Sequence, residues 1–311
     1  MKAVFCDRYG GPDVLRFGEA EKPEPKDDEM LVRIRASAVT MSDIYIRSLK
    51  VSFPYSIVMR FVVGMRGPRQ PIIGIVYSGT VEHAGSAIRR FRAGDEVYGM
   101  TGFHFSCYAE YTCVTETDSP KRGCVALKPE NASHEEATAA AYGGLLAFQA
   151  MEKGHIGEGS KVLIYGASGT TGTVALQRAK SLGAEVTAVC GPKNIDFVKS
   201  LGADRVLDYT KDGAEALEEA YDFVLDAVGK SRTSALKKAA RKHLAPGGAY
   251  SSIDDGSLQL SSPRLEAVRE AVESGAVKPI LDRTFALEDI RAAHEYVGAE
   301  HKRGGVAVTV G

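Results

Sequence analysis

The stretch from Lys161 to Lys193 constrains this chain more than any other. Lys161-Val-Leu-Ile-Tyr165 is a short apolar run, the pattern of a strand buried on both faces of a parallel sheet. It stops at Gly166-Ala-Ser-Gly169-Thr-Thr-Gly172, after which Thr173 to Leu182 reads as an amphipathic helix and Glu185 to Val189 as a second strand. A tight glycine-rich turn between strand and helix leaves backbone N–H groups pointing outward at the helix's positive end. Missing Cβ atoms there allow a pyrophosphate to approach closely. Glycines also end ordinary strands, so the turn alone says little; the order strand, turn, helix, strand is what points to dinucleotide binding. The candidate cofactor residues are therefore Gly166, Ser168, Gly169, Thr170, Thr171 and Gly172.

The pattern around this unit divides the chain. From Lys161 strands and helices alternate: Lys193 to Leu201 helical, Arg205 to Asp208 extended, Ala214 to Glu219 helical, Tyr221 to Ala227 extended, Ser231 to Ala240 helical, Gly248 to Ile253 extended and Arg264 to Ser274 helical. Repeated βα units imply an α/β, doubly wound parallel sheet. Before them, Met1 to Arg16 reads as two short strands around a Gly-Gly-Pro turn. Glu29 to Val39 alternates as a half-buried strand, and Ile72 to Glu82, Glu96 to Gly99 and Cys107 to Thr115 supply more. Thr40 to Leu49 is a helical turn or two with Thr40 or Ser42 as cap. Ser133-His-Glu-Glu136 is a capping box before the Ala-rich helix Ala137 to Ala141, continued from Leu145 to Lys153. The segment from Lys50 to Pro71 mixes Phe53, Phe61 and Val62 with Arg60, Arg66 and Arg69. It reads as a helix packed under a loop, with a flap or a subunit contact as alternatives. The expected division is a β-rich unit over 1–127, completed by 277–311 through a final strand at Gly305 to Val310, and a nucleotide-binding unit over 128–276.

Composition narrows the partners. A net charge of −1 over 311 residues gives no electrostatic footprint for nucleic acid. No apolar run is long enough to span a bilayer, so no membrane partner is expected. The start of the chain lacks the apolar core of a signal peptide. Cys6, Cys107, Cys113, Cys124 and Cys190 show no paired spacing, which fits a reducing compartment and a cytoplasmic location. Self-association as a homodimer stays open.

The second strand of the dinucleotide unit ends Val189-Cys190-Gly191-Pro192-Lys193. An NAD site usually places a carboxylate here on the ribose 2′-hydroxyl. None stands there, and Lys193 offers a cation to a 2′-phosphate instead, so the cofactor expected is NADPH. Ser252, closing the strand Gly248 to Ile253, should face the nicotinamide half of the cleft.

At this point the whole chain resembles the medium-chain dehydrogenase/reductase superfamily, in its zinc-free quinone oxidoreductase branch. The resemblance is carried by Ala38-Val-Thr-Met-Ser-Asp43, Arg90-Phe-Arg-Ala-Gly-Asp-Glu-Val-Tyr-Gly99, Tyr108-Ala-Glu-Tyr111, the glycine-rich turn, Leu201-Gly-Ala-Asp204, and the ending from Lys278-Pro-Ile-Leu-Asp-Arg-Thr284 to His301-Lys-Arg-Gly304. It implies a GroES-like β-domain, a Rossmann domain and an active site between them. The positions where zinc-dependent members carry catalytic ligands hold Thr40, Gly74-Ile75-Val76 and Gly143, none a credible zinc ligand, so no metal is expected. The resemblance further implies Tyr209, Lys302 and Arg303 as cofactor contacts and places Thr40, Ser42 and Tyr45 near the nicotinamide, Tyr45 as a donor to a substrate carbonyl. Without a metal Lewis acid the acceptors that fit best are quinones or alkenes conjugated to a carbonyl. Enoyl-thioester reduction, or NADPH binding by a sensor without turnover, are the alternatives. Departures from the branch at Thr40, Val76 and Leu146 bear on the substrate.

Overall fold

Valine, leucine and isoleucine between Lys161 and Tyr165 leave no polar face, and the strand they form is the middle of a five-stranded sheet. The computed structural model describes all residues except 51–54, 218–219, 232 and 300–301. In chain order the first half comprises β1 (Lys2–Cys6), β2 (Leu15–Glu19), β3 (Met30–Ala38), α1 (Met41–Ser48), α2 (Tyr55–Val63), β4 (Val76–Ala84), β5 (Glu96–Met100), β6 (Tyr111–Val114), β7 (Cys124–Leu127) and α3 (His134–Met151). The second comprises β8 (Lys161–Tyr165), α4 (Thr170–Ser181), β9 (Glu185–Cys190), α5 (Ile195–Ser200), β10 (Arg205–Asp208), β11 (Tyr221–Asp226), α6 (Ala235–Ala240), β12 (Leu244–Ser252), α7 (Ser262–Glu273), β13 (Leu281–Ala286), α8 (Ile290–Gly298) and β14 (Gly305–Thr309).

The sheet order β10-β9-β8-β11-β12, all parallel, reverses direction between β8 and β11. Ligands of doubly wound sheets bind outside the carboxyl ends of the strands at such a reversal. That is where the glycine-rich turn lies. The other large sheet runs β13-β14-β3-β4-β5-β7, with β6 also on β3. The tail pairs back, Ala307 opposite Ala38 in antiparallel register, so the last strand lies beside the one that leads into α1.

Several local expectations change. The strand expected from Ile72 begins at Val76, because Gly74 takes a positive φ of 93° and a Cβ there would sit 2.6 Å from the Tyr108 ring. Cys107 and Tyr108 stay outside β6, following Phe105 and Ser106, which also have positive φ. The strand β7 had no alternation to reveal it. The Ala-rich helix and its continuation form one helix, α3, running through Gly143 and Gly144. Those glycines allow close packing: a Cβ on Gly143 would lie 2.7 Å from the Thr170 carbonyl oxygen, and one on Gly144 would overlap Val268. Between Lys50 and Pro71, α2 packs Val63 into the core and leaves Ile57, Phe61 and Val62 exposed. Phe53, Glu219 and Arg232 lie outside the described residues. No helix among the described residues is long and apolar enough to cross a membrane.

Candidate active site

The turn from Gly166 to Gly172 divides its labour by position. Gly166 has φ of 83°, and a Cβ on it would strike Val228. Gly172 is a packing glycine, its missing Cβ replaced by the Gly166 carbonyl oxygen at 2.2 Å. Gly169 differs. It is the N-cap of α4 with no side-chain cap, and a Cβ there would meet nothing nearer than 3.5 Å. The first-turn amides of α4 have no upstream helical acceptor and lie at the positive end of the helix. A dinucleotide pyrophosphate fits this position chemically. Thr171 is buried beside it.

The turn is braced from the tail of the chain. The Gly304 amide donates to the Ser168 carbonyl at 2.9 Å, and Thr170 Oγ1 donates to the Gly304 carbonyl at 2.8 Å. Lys302 Nζ reaches Thr170 Oγ1 at 2.5 Å and the Gly304 carbonyl at 2.7 Å. Burial of this ammonium pulls the Lys302 pKa down to about 8. Arg303 donates to the Lys193 carbonyl at 2.5 Å and to Asn194 Oδ1 at 2.7 Å, while Asn194 Nδ2 donates to Ser168 Oγ at 3.1 Å. Ser168, Lys193, Lys302 and Arg303, far apart in sequence, thus meet at one rim. Asn194, which bonds both Ser168 and Arg303, was missed in sequence; its place directly after Lys193 was the available signal. His301 lies outside the described residues.

Beyond β9, Lys193 is exposed in a short turn over Pro192–Asn194. Tyr209 is also partly exposed, its ring tilted against Tyr165 at 6.3 Å and facing the open side of Gly191. Cys190 points inward, and burial pushes its thiol up to about 11. At the far edge, Ser252 Oγ donates to Asp226 Oδ2 at 3.3 Å, and its amide donates to Asp255 at 2.9 Å. Its hydroxyl is therefore turned inward. A cavity of about 30 Å³ lies between α3 and the end of β12, lined by Leu146, Gln149 and Ser251–Ile253 among others. The larger cavity, about 420 Å³ between Phe148, Arg178 and Ala267, sits at the other end of α4 from the glycine-rich turn.

On the opposite side, α1 presents Ser42 and Tyr45 half-buried. Thr40 caps the helix: its hydroxyl donates to Asp43 Oδ2 at 2.6 Å and accepts from the Asp43 amide at 3.3 Å. That hydroxyl is used within the cap. Burial raises Asp43 to about 6 against the opposing hydrogen bonds from Thr40. Beneath it, Tyr108 Oη meets His294 Nε2 at 3.2 Å, and burial lowers His294 to about 3, which keeps the imidazole neutral. Ser42 Oγ lies 3.1 Å from the hydroxyl of Tyr142 on α3. Sequence reasoning missed Tyr142; the signal was its spacing one helical turn before Leu146.

Among the described residues no group of three or more His, Cys, Asp or Glu side chains could hold a metal ion. Thr40, Gly74-Ile75-Val76 and Gly143 offer no zinc donor set.

This combination, a β-rich sheet joined to a parallel nucleotide-binding sheet with the glycine-rich turn at their seam, defines a two-domain nicotinamide-dependent oxidoreductase. Residues 26–145 match the family model for the alcohol dehydrogenase GroES-like domain, and residues 170–259 and 256–308 match two for zinc-binding dehydrogenases. The chain is 35% identical to the chloroplastic quinone-oxidoreductase homolog of Spinacia oleracea over 231 residues, 72% of this chain and 67% of that protein. It is 29% identical to the chloroplastic NADPH-dependent alkenal/one oxidoreductase of Arabidopsis thaliana, over 99% of this chain and 79% of that one. The quinone oxidoreductase from Coxiella burnetii superimposes with a TM-score of 0.83 at 25% identity, covering 100% of this chain and 99% of that one. The chain belongs to the zinc-free, quinone oxidoreductase-like branch of the medium-chain dehydrogenase/reductase superfamily, and is an NAD(P)H-dependent oxidoreductase.

Proposed function

We propose that this protein transfers hydride from NADPH to a quinone or an α,β-unsaturated carbonyl compound, without a metal. The N-terminus of α4 carries this reading: it begins at a glycine with no side-chain cap, where an added Cβ would meet nothing nearer than 3.5 Å, and a helix start of this kind suits a pyrophosphate. Gly166, Ser168, Gly169, Thr170, Thr171 and Gly172 would cradle the cofactor's diphosphate, with Lys302 supplying charge. Lys193, Tyr209 and Arg303 gather where a 2′-phosphate would project, and no carboxylate stands at the end of β9 to repel it. When bound, the reduced nicotinamide supplies the hydride. The protein's part is to orient the acceptor between Ser42, Tyr45 and the α3 face, exclude water, and hold a donor against the oxygen on which charge develops. Thr40 acts beneath them as the cap that fixes α1. The names of the relatives, a quinone-oxidoreductase homolog and an alkenal/one oxidoreductase, support acceptors of this kind.

All five thiols are unpaired, which supports a reducing compartment such as the cytoplasm. A homodimer would cover the exposed Ile57, Phe61 and Val62 of α2, and sedimentation at two concentrations reads it. The activity itself is tested by following cofactor absorbance with 1,4-benzoquinone, but-3-en-2-one and crotonyl-CoA, each with NADPH and NADH. Oxidation of NADPH by the first two supports the proposal. A protein that binds NADPH and turns over none of the three is a sensor instead, and turnover of crotonyl-CoA alone makes it an enoyl-thioester reductase.

A further inference from the structure

Resting on that reading, we propose that Tyr142, rather than Tyr45, donates the hydrogen bond to the carbonyl oxygen of the acceptor, so that both domains contribute to the reacting centre. Its place on α3 is the first argument. Tyr142 and Leu146 lie four residues apart, and the same stripe continues through Gln149, Ala150 and Lys153. Leu146 and the rest of that stripe line the small cavity against Ser251–Ile253 at the carboxyl end of β12, the edge where ligands of such sheets sit. Tyr142 extends this wall toward the other domain.

Tyr142 also has a partner in the other sheet's domain. Tyr142 Oη and Ser42 Oγ meet at 3.1 Å across 100 residues of sequence, and both side chains are half-buried. The pair therefore lies on the seam between the sheets, not sealed in the core. Tyr45, by contrast, has no hydrogen-bond partner for its hydroxyl among the described residues. Burial pushes the Tyr142 phenol above its ordinary value, opposed by the Ser42 contact, so the group remains a neutral donor through the physiological range. When Tyr142 turns its proton to a ligand, Ser42 can donate to the phenol oxygen and strengthen the outgoing bond.

The electron count is simple. As the β-carbon of an enone gains the hydride with its two electrons, the alkene pair moves and negative charge collects on the carbonyl oxygen. Tyr142 donates to that oxygen, and a proton from water completes the saturated ketone at the α-carbon. The phenol stabilises the charge and ends the cycle still protonated.

The test compares Tyr142→Phe, Tyr45→Phe and Ser42→Ala with the wild type, each saturated with NADPH, using but-3-en-2-one as acceptor. A second readout needs no turnover: butan-2-one, a carbonyl without the alkene, is titrated against the NADPH-loaded protein by quenching of cofactor fluorescence. Tyr142→Phe is expected to lower kcat on the order of a hundredfold, the size seen when one donor to a developing oxyanion is lost. It should weaken butan-2-one several-fold while leaving NADPH affinity alone. Ser42→Ala should lose roughly tenfold through the weakened phenol, as for one polarising contact. A folded Tyr142→Phe protein with wild-type kcat and ketone affinity overturns the assignment, as does a larger loss in Tyr45→Phe. Should Tyr142→Phe not fold, an unchanged Ser42→Ala protein overturns it by the same logic. A wild type that reduces no enone and no quinone overturns the functional reading itself, which the variants do not.

Discussion

Helices α1 and α4 both begin at the seam between the two sheets, yet their N-termini are finished in opposite ways. α1 is closed by a capping box in which Thr40 and Asp43 exchange hydrogen bonds through side chain and backbone. α4 begins at a glycine with no side-chain cap, where an added Cβ would meet nothing nearer than 3.5 Å. A polar cap ordinarily contributes about 1 kcal/mol to a helix, so its omission at one end of a well-packed α4 leaves amides and dipole for something else. Where the chain fixes geometry it caps; where it binds, it leaves the helix open.

Closing α4 is the most direct way to break this contrast. Gly169→Val puts a branched side chain beside the first-turn amides, and Gly169→Asp adds both a cap and a charge that repels phosphate. NADPH affinity should fall at least about a hundredfold in either, roughly 3 kcal/mol, with the melting temperature of Gly169→Asp no lower than wild type. Calorimetric titration and thermal unfolding on the same samples check both halves. Unchanged affinity would make the turn purely structural.

Asp43 sharpens the other side. Its carboxyl is raised by burial from 3.8 to about 6 in the folded protein. The folded state therefore holds this proton more tightly than the unfolded chain. The stabilisation is complete below the unfolded value and is lost as pH rises through about 6, a cost of about 3 kcal/mol for this group. Asp43→Asn cannot ionise. Its unfolding free energy relative to wild type should therefore improve by that order between pH 4 and pH 7. A difference that stays flat across this window removes the buried-carboxyl account.

Lys302 tests whether charge under the open helix matters. With its pKa lowered to about 8 by burial, cofactor affinity should decline roughly tenfold as pH rises from 7 to 9, the order of one charge-assisted contact. Lys302→Met should bind weakly at both pH values and show no such slope. The smallest effect is expected at the rim. Lys193 is exposed, so screening limits Lys193→Ala to a loss of about three- to tenfold in kcat/KM for NADPH, with NADH nearly unaffected. Equal losses for both cofactors would give Lys193 a structural role.

What was legible in the sequence follows the same division. The strand Lys161–Tyr165 and the turn after it were plain, because an unbroken apolar run, a glycine cluster and a helix are all local signals. The cap at Ser133 was legible for the same reason, and the one on α1 was narrowed to Thr40 or Ser42, of which Thr40 is the cap. The strand Cys124–Leu127 was not, being four residues without alternation whose pairing with β5 decides its state. The break at Gly74 depends on Tyr108, thirty-odd positions away, filling the space a side chain would need. Most of the site is of this second kind. Ser42 and Tyr142 are brought together by packing of α3 between the two sheets, and Lys302 reaches Thr170 only because β14 pairs with β3 and carries the tail past the turn. Resemblance to a family located these segments; it did not give the partners.

Cofactor-driven reduction with no metal in the site is read from the rate of NADPH oxidation after exhaustive dialysis against a strong chelator, with but-3-en-2-one and 1,4-benzoquinone as acceptors and metal content read by elemental analysis. The expected result is an unchanged rate with at least one acceptor from protein holding no stoichiometric zinc. A rate that vanishes on chelation and returns on adding zinc would contradict it.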